Sequence, residues 1–142
     1  MDRIDIFVKI FITTFGGFCG YFFGGWDMVL KILVMMAAID YITGIIAAGY
    51  HGELKSKVGF KGIAKKVMLF LLVGVAAQLD TAIGSNSAIR EATIFFFIGN
   101  ELLSILENAG RMGIPLPQPL THAVEILGGK QKQEEKKGEV RS

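Results

Sequence analysis

MMAAIDYITGIIAAGY, residues 35–50, places one carboxylate in a run that is otherwise apolar or small. Crossing about 30 Å of hydrocarbon takes roughly 20 residues of helix, and the apolar run around this stretch extends from about Met28 to Tyr50. An ionised side chain at the centre of such a span costs about 2.5 to 3.5 kcal/mol, so intramembrane carboxylates face a bundle interior, a partner or a wet cavity. Asp40 is therefore a candidate functional position. Winding the segment at about 100° per residue brings Ala37, Thr43, Gly44, Ala47 and Ala48 to the side of Asp40, with Ile39, Ile42 and Ile46 across the helix. One face suits lipid, and the other suits protein or water.

The whole chain fits this class. Of its 142 residues 51% are hydrophobic, and its mean hydropathy is +0.48, too apolar for an ordinary soluble domain of this length. The single cysteine, Cys19, can form no intramolecular disulfide and offers no metal-ligand spacing. H-E-x-x-H and G-x-S-x-G are missing, and GGK at 128–130 lacks the upstream glycine of a phosphate-cradling loop. No enzymatic activity, metal or cofactor is expected. His51 and His122 stand at polar boundaries and are read as interfacial. The net charge is only +2, and the bases cluster beside apolar spans instead of interleaving with aromatics, which argues against a nucleic-acid partner. The N-terminal MDRIDIFVKIF mixes acids with its bases and leads into an apolar run with no A-x-A site, so a retained span is expected, not a cleaved signal.

Working outward, three further windows approach spanning length: about 10–26, 67–83 and 88–108. The fold class is thus an all-α integral membrane protein with three to four transmembrane helices inside residues 1–110. In the first window Gly16, Gly20 and Gly24 recur every fourth residue, a small-residue face on which another helix can pack; Gly74 is the matching position in the third. GSNS at 84–87 is a tight turn that makes the last two helices antiparallel neighbours. The loop 51–66 holds Lys55, Lys57, Lys61, Lys65 and Lys66 against Glu53 alone. Its positive charge places it in the cytoplasm, where these lysines fix topology and touch anionic lipid. Four spans then leave both termini cytoplasmic; if the first segment only lies on the membrane, there are three spans and an outer N-terminus. Beyond the last span, residues 111–129 comprise a proline-rich exit, GIPLPQP, and a short amphipathic helix on which Leu120, Ala123, Val124 and Leu127 share a face. The charged tail 130–142 should be disordered.

The fourth window repeats the pattern of the second. Asn100, Glu101, Ser104, Glu107 and Asn108 occupy an arc of roughly 120°, opposite Ile98, Leu102, Leu103 and Leu106. Such stripes have two uses: within one subunit they pair and vanish from lipid, while between subunits they line water. A switch between the two arrangements is the hypothesis. Charge at Asp40 or Glu101 would also couple such a switch to the membrane potential.

Three stretches in this order, IDYITGIIAA, SKVGFKGIAKK and NELLSILENAGRMGIPLPQPL, resemble the phage lysis and toxin-secretion holins of Gram-positive bacteria and their phages. The resemblance implies a small protein of the bacterial cytoplasmic membrane that accumulates, then self-assembles into lesions releasing an endolysin or a toxin. It marks Asp40, Gly44, Lys65, Lys66, Asn100, Glu101, Ser104, Glu107, Asn108, Gly113, Pro115 and Pro117. The implied partners are further copies of the chain, membrane lipid and the released protein. The residues themselves leave two other readings open, a small channel or transporter subunit and a membrane anchor that recruits a soluble partner.

Overall fold

The computed structural model describes residues 2–123 and 137–139. Four helices follow one another: α1 Arg3–Phe23, α2 Met28–Tyr50, α3 Ser56–Ile83 and α4 Ala88–Arg111. The described residues contain no strand. Three helices, α1, α2 and α3, are long and apolar enough to cross a membrane. The chain is an all-α membrane protein. α4 differs because Arg90, Glu91, Glu101, Glu107 and Arg111 interrupt its apolar sequence.

Local chemistry sets the ends. Gly24 leaves α1 at φ 80°, and Gly25 continues the turn at φ 114°, where a side chain would collide with backbone. Asp27 then caps α2, its carboxylate accepting from the Leu30 N–H at 3.1 Å. Gly84, at φ 78°, ends α3.

Two boundaries depart from the sequence reading. α1 begins at Arg3, before the expected start near Ile10, and Trp26 lies outside it. Residues 56–66, read as loop, are the first turns of α3. Gly59 and Gly62 weaken this stretch as an isolated helix, but Tyr41 of α2 lies over both: a Cβ on Gly62 would stand 3.1 Å from the Tyr41 ring. Close packing there offsets the low helix propensity of glycine. The connection between α2 and α3 shrinks to residues 51–55.

α4 is the central element, packing along α2 and α3, while α2 and α3 meet over a narrower strip and α1 packs mainly on α3. The apolar core comprises Leu30, Leu33, Leu69, Val73 and Ile94, with Phe23, Phe70 and Phe97 against it. These positions lie in the half of the bundle that contains the α1–α2 and α3–α4 turns. α1 has no buried residue and is attached by its last turn. Phe22 sits on Gly74 so closely that a Cβ there would come within 1.9 Å of the ring, and Phe23 meets Phe70 edge-on at 6.1 Å.

At Gly16 and Gly20 the expected helix-packing face is occupied by the chain's own tryptophan. Trp26 folds back on α1, donating from Nε1 to the Gly16 carbonyl at 3.0 Å, and its ring lies 3.1 Å from where a Gly20 Cβ would be. Gly24 lies beside Arg90, 3.2 Å from its would-be Cβ. Gly24 and Gly74 thus receive side chains from other helices, Arg90 of α4 and Phe22 of α1, while the indole occupies the face at Gly16 and Gly20.

After α4, Gly113 turns at φ 77°; residues 114–117, which include Pro115 and Pro117, form no regular structure, and 118–123 are helical. The remainder of the expected amphipathic helix, from Val124 to Gly129, lies outside the described residues. So does most of the tail, of which 137–139 are helical.

Candidate functional site

Asp40 stands about ten residues from the end of α2 at Tyr50; Lys66 is as far from Ser56, and Glu101 from Arg111, which puts all three about 15 Å of helix rise from the same end of the bundle. At that common level the Lys66 ammonium lies between two carboxylates. It donates to Asp40 Oδ2 and to Glu101 Oε2, the latter at 2.5 Å. Asp40 uses its second oxygen to accept from Asn108 Nδ2 at 3.1 Å, and the same amide reaches Thr43 Oγ1 at 3.0 Å. Thr43 in turn donates to the Asp40 carbonyl at 3.1 Å.

This network is hidden. Asp40 is 8% exposed and Glu101 3%, so their oxygens rely on Lys66, and those of Asp40 also on Asn108, in place of water. Among the described residues no buried side-chain nitrogen or oxygen lacks a partner. That completeness matters because a buried polar group without a partner costs about 1 to 3 kcal/mol, and a charged one more.

Toward the end that contains the α2–α3 connection the three helices part around a cavity of about 710 Å³. Asn100, Ser104, Glu107 and Lys65 line it, and Asp40, Lys66 and Glu101 stand at its inner end, where Leu69 and Phe97 lead into the apolar core. The rim is tied by Arg111, which donates to Glu53 at 2.9 Å, and by His51 Nε2, which donates to the Arg111 carbonyl at 2.6 Å. Both ion-pair partners are exposed, so this tie contributes about 0 to 1 kcal/mol.

The sequence-selected residues fall into three groups. Asp40, Thr43, Glu101 and Asn108 join in one network. Asn100, Ser104 and Glu107 line the cavity above it, with Gly44 packed below Asn108, 3.6 Å from its would-be Cβ, and Ala47 fully buried. Lys66 is the correction: assigned with Lys55, Lys57, Lys61 and Lys65 to topology and lipid, it turns into the bundle. Helical spacing held the signal. Lys57, Lys61 and Lys65 recur at i, i+4 and i+8 on one face, and Lys66 lies about 100° away from that row, on the side of Gly59 and Gly62. The row itself is exposed.

Sequence reasoning also passed over a second polar knot at the opposite end. Arg90 is 2% exposed; it donates to Asp27 through both terminal nitrogens, at 2.7 and 2.9 Å, and to the carbonyls of Phe23 at 2.5 Å and Gly25 at 3.0 Å. Those carbonyls belong to the frayed end of α1, so one guanidinium ties the α1–α2 turn to α4. The Arg90 hydrogen bonds hold the Asp27 carboxyl below its ordinary value of 3.8, burial opposing the shift. Asp80, from α3, accepts from the Ile89 and Arg90 N–H groups at 2.9 and 2.7 Å and from Ser85 Oγ at 2.5 Å, capping the start of α4. The legible signal was a lone arginine three residues into a candidate span, which a membrane tolerates only if it is paired.

The sequence profile of the bacteriophage holin family matches residues 17–129, a segment that contains the whole Asp40–Lys66–Glu101 network. The chain belongs to the bacteriophage holin family. Membership of this holin family points to a membrane protein that is not an enzyme. The chain is 36% identical over 98 residues to a probable holin of Bacillus phage phi105, covering 69% of this chain and 73% of the relative. It is 47% identical over 134 residues to a protein of Listeria innocua, with 94% and 96% covered. Against a 14.9 kDa protein of Clostridium perfringens from the nagH 3′ region, identity is 34% over 131 residues, with 92% and 99% covered. No solved structure matches the chain.

Proposed function

We propose that this chain is a holin that oligomerises in the bacterial cytoplasmic membrane and forms lesions through which an endolysin or a toxin leaves the cell. Family membership across residues 17–129 carries the reading. The geometry supplies a physical means. α2 keeps an exposed apolar back at Ile39, Ile42 and Ile46, whereas Leu103 and Leu106 of α4, expected to face lipid, are buried in the bundle; the polar fronts of both helices close on Lys66 within one subunit. A subunit in this state exposes no buried charge to lipid and can accumulate. In a crowded ring the same fronts can turn to water, which solvates them without the pairing. The charge of Lys55, Lys57, Lys61 and Lys65 supports a cytoplasmic position for the α2–α3 end of the bundle and the C-terminus, the side from which the cavity above Lys66 would be wetted.

The test is expression in a bacterium with and without a cytoplasmic endolysin. Abrupt loss of viability, with enzyme escape, supports the proposal; unchanged growth at high membrane abundance overturns it. The polar cavity also suits a small ion channel, which would give reproducible small conductances and retain the enzyme. An anchor that recruits a soluble partner through its tail would lose all function on deletion of residues 130–142, whereas a lesion former keeps that activity.

A further inference from the structure

The proposed lesion requires that the polar fronts of α2 and α4 come apart, and the structure shows what holds them. Asp40 and Glu101 both bond to the Lys66 ammonium, contributed by α3. Take away that cation and two nearly buried carboxylates, 8% and 3% exposed, lose the ammonium that both of them contact. The cavity supplies an escape for both sides of the contact. The Lys66 side chain is 20% exposed and borders the cavity, so it can swing into water among Asn100, Ser104 and Glu107 without helix unwinding. Past the trio, Leu33, Val73 and Ile94 are fully buried and close the path toward the other end.

We propose that Lys66 is a latch: its bonds to Asp40 and Glu101 hold each subunit closed, and their release is the step that lets α2 and α4 turn their polar faces to water. The inference rests on the lesion-forming reading and names its control point. The latch explains why a basic residue is placed in the wall of the bundle while its neighbour Lys65 stays exposed. It also makes a non-additive demand. Losing one member of a buried charged group leaves the others uncompensated, whereas replacing all members together can be nearly neutral.

The experiment measures lysis time in cells containing a cytoplasmic endolysin, at matched membrane abundance, for the parent chain, Lys66→Met, Lys66→Arg and the triple variant Lys66→Met/Asp40→Asn/Glu101→Gln. Lys66→Met should lower the closed-to-open ratio by about 100-fold or more, the consequence of stranding buried charge, and lyse well before the parent. The arginine variant should stay near the parent, and the triple variant should return toward it. Thiol labelling gives a second readout independent of lysis. In a Cys19→Ser background, Leu33→Cys should be protected in membranes of the otherwise parental chain and reactive once Lys66→Met is added. Unchanged timing and labelling in Lys66→Met overturn the latch, as does a triple variant as early as the single one. If Lys66→Met fails to accumulate, Asp40→Asn/Glu101→Gln, which strands the ammonium instead, must show early lysis and Leu33→Cys labelling, or the latch is overturned. A parent chain that never lyses refutes the lesion reading, and the labelling comparison still decides the latch.

Discussion

Replacing Arg90 by methionine keeps an unbranched stem in the core but removes every donor that ties the α1–α2 turn to α4. The four bonds divide into two classes. The pair to Asp27 ends on a carboxylate that is 46% exposed, so it is worth a surface value of about 1 kcal/mol. The two to the Phe23 and Gly25 carbonyls satisfy the end of α1, and leaving them unmade costs about 1 kcal/mol each where water has poor access. Arg90→Met should therefore destabilise the bundle by about 3 kcal/mol. Asp27→Asn, which keeps the cap oxygen for Leu30 and loses the charge, should cost about 1 kcal/mol. The double variant should be no worse than Arg90→Met, a coupling of about 1 kcal/mol. Denaturation of purified protein in detergent, followed by far-ultraviolet circular dichroism, gives the three differences. The sole tryptophan provides a local probe, since Trp26 lies in the turn that Arg90 holds and bonds to Gly16. In Arg90→Met its emission should change at lower denaturant than the helical signal. A variant within about 0.5 kcal/mol of the parent, with Trp26 emission unmoved, would refute the assignment of Arg90 as the tie.

Three other outcomes follow from the same geometry. Because Arg90 holds the Asp27 carboxyl below its ordinary value of 3.8, the stability this pair contributes is fully present above that value and is lost as pH falls through the lower folded value; acid titration of Trp26 emission should show a transition below about pH 4 that Asp27→Asn lacks. Gly74→Ala puts a Cβ 1.9 Å from Phe22 and should cost about 1 to 3 kcal/mol as overpacking; disulfide formation between cysteines placed at 23 and 70, where the rings now meet, should fall. Asn108→Leu removes the amide shared by Asp40 and Thr43 and should destabilise the closed bundle by about 1 to 3 kcal/mol, seen as a lower denaturation midpoint and an earlier lysis time; unchanged values would show that Lys66 alone satisfies Asp40.

The fronts of α2 and α4 illustrate how far one-dimensional reading reaches. Periodicity of about 3.6 residues puts Asp40 with Thr43 and Gly44, and Glu101 with Ser104 and Asn108, whatever the helices pack against. That these stripes must avoid lipid is equally a property of the sequence, because the cost of an unpaired intramembrane charge does not depend on the fold. Glycine spacing was a weaker guide. Gly16, Gly20 and Gly24 mark a face that accepts a close neighbour, yet at Gly16 and Gly20 the neighbour is Trp26 of the adjoining turn, and nothing in the spacing distinguishes an indole from a second helix.

The sequence by itself thus determined the class, since no arrangement other than membrane-spanning helices satisfies such apolar runs, and it determined which faces are polar. Tertiary structure alone decided the partners. Lys66 becomes an interior cation only because α3 continues back through residues 56–66, and it does so because Tyr41, 21 positions away from Gly62 in the chain, covers glycines that would otherwise end the helix. Arg90 likewise meets Asp27 across 63 residues. Hydrogen bonds and close packing between residues so distant in sequence act at about 3 to 4 Å, a range that local periodicity does not encode.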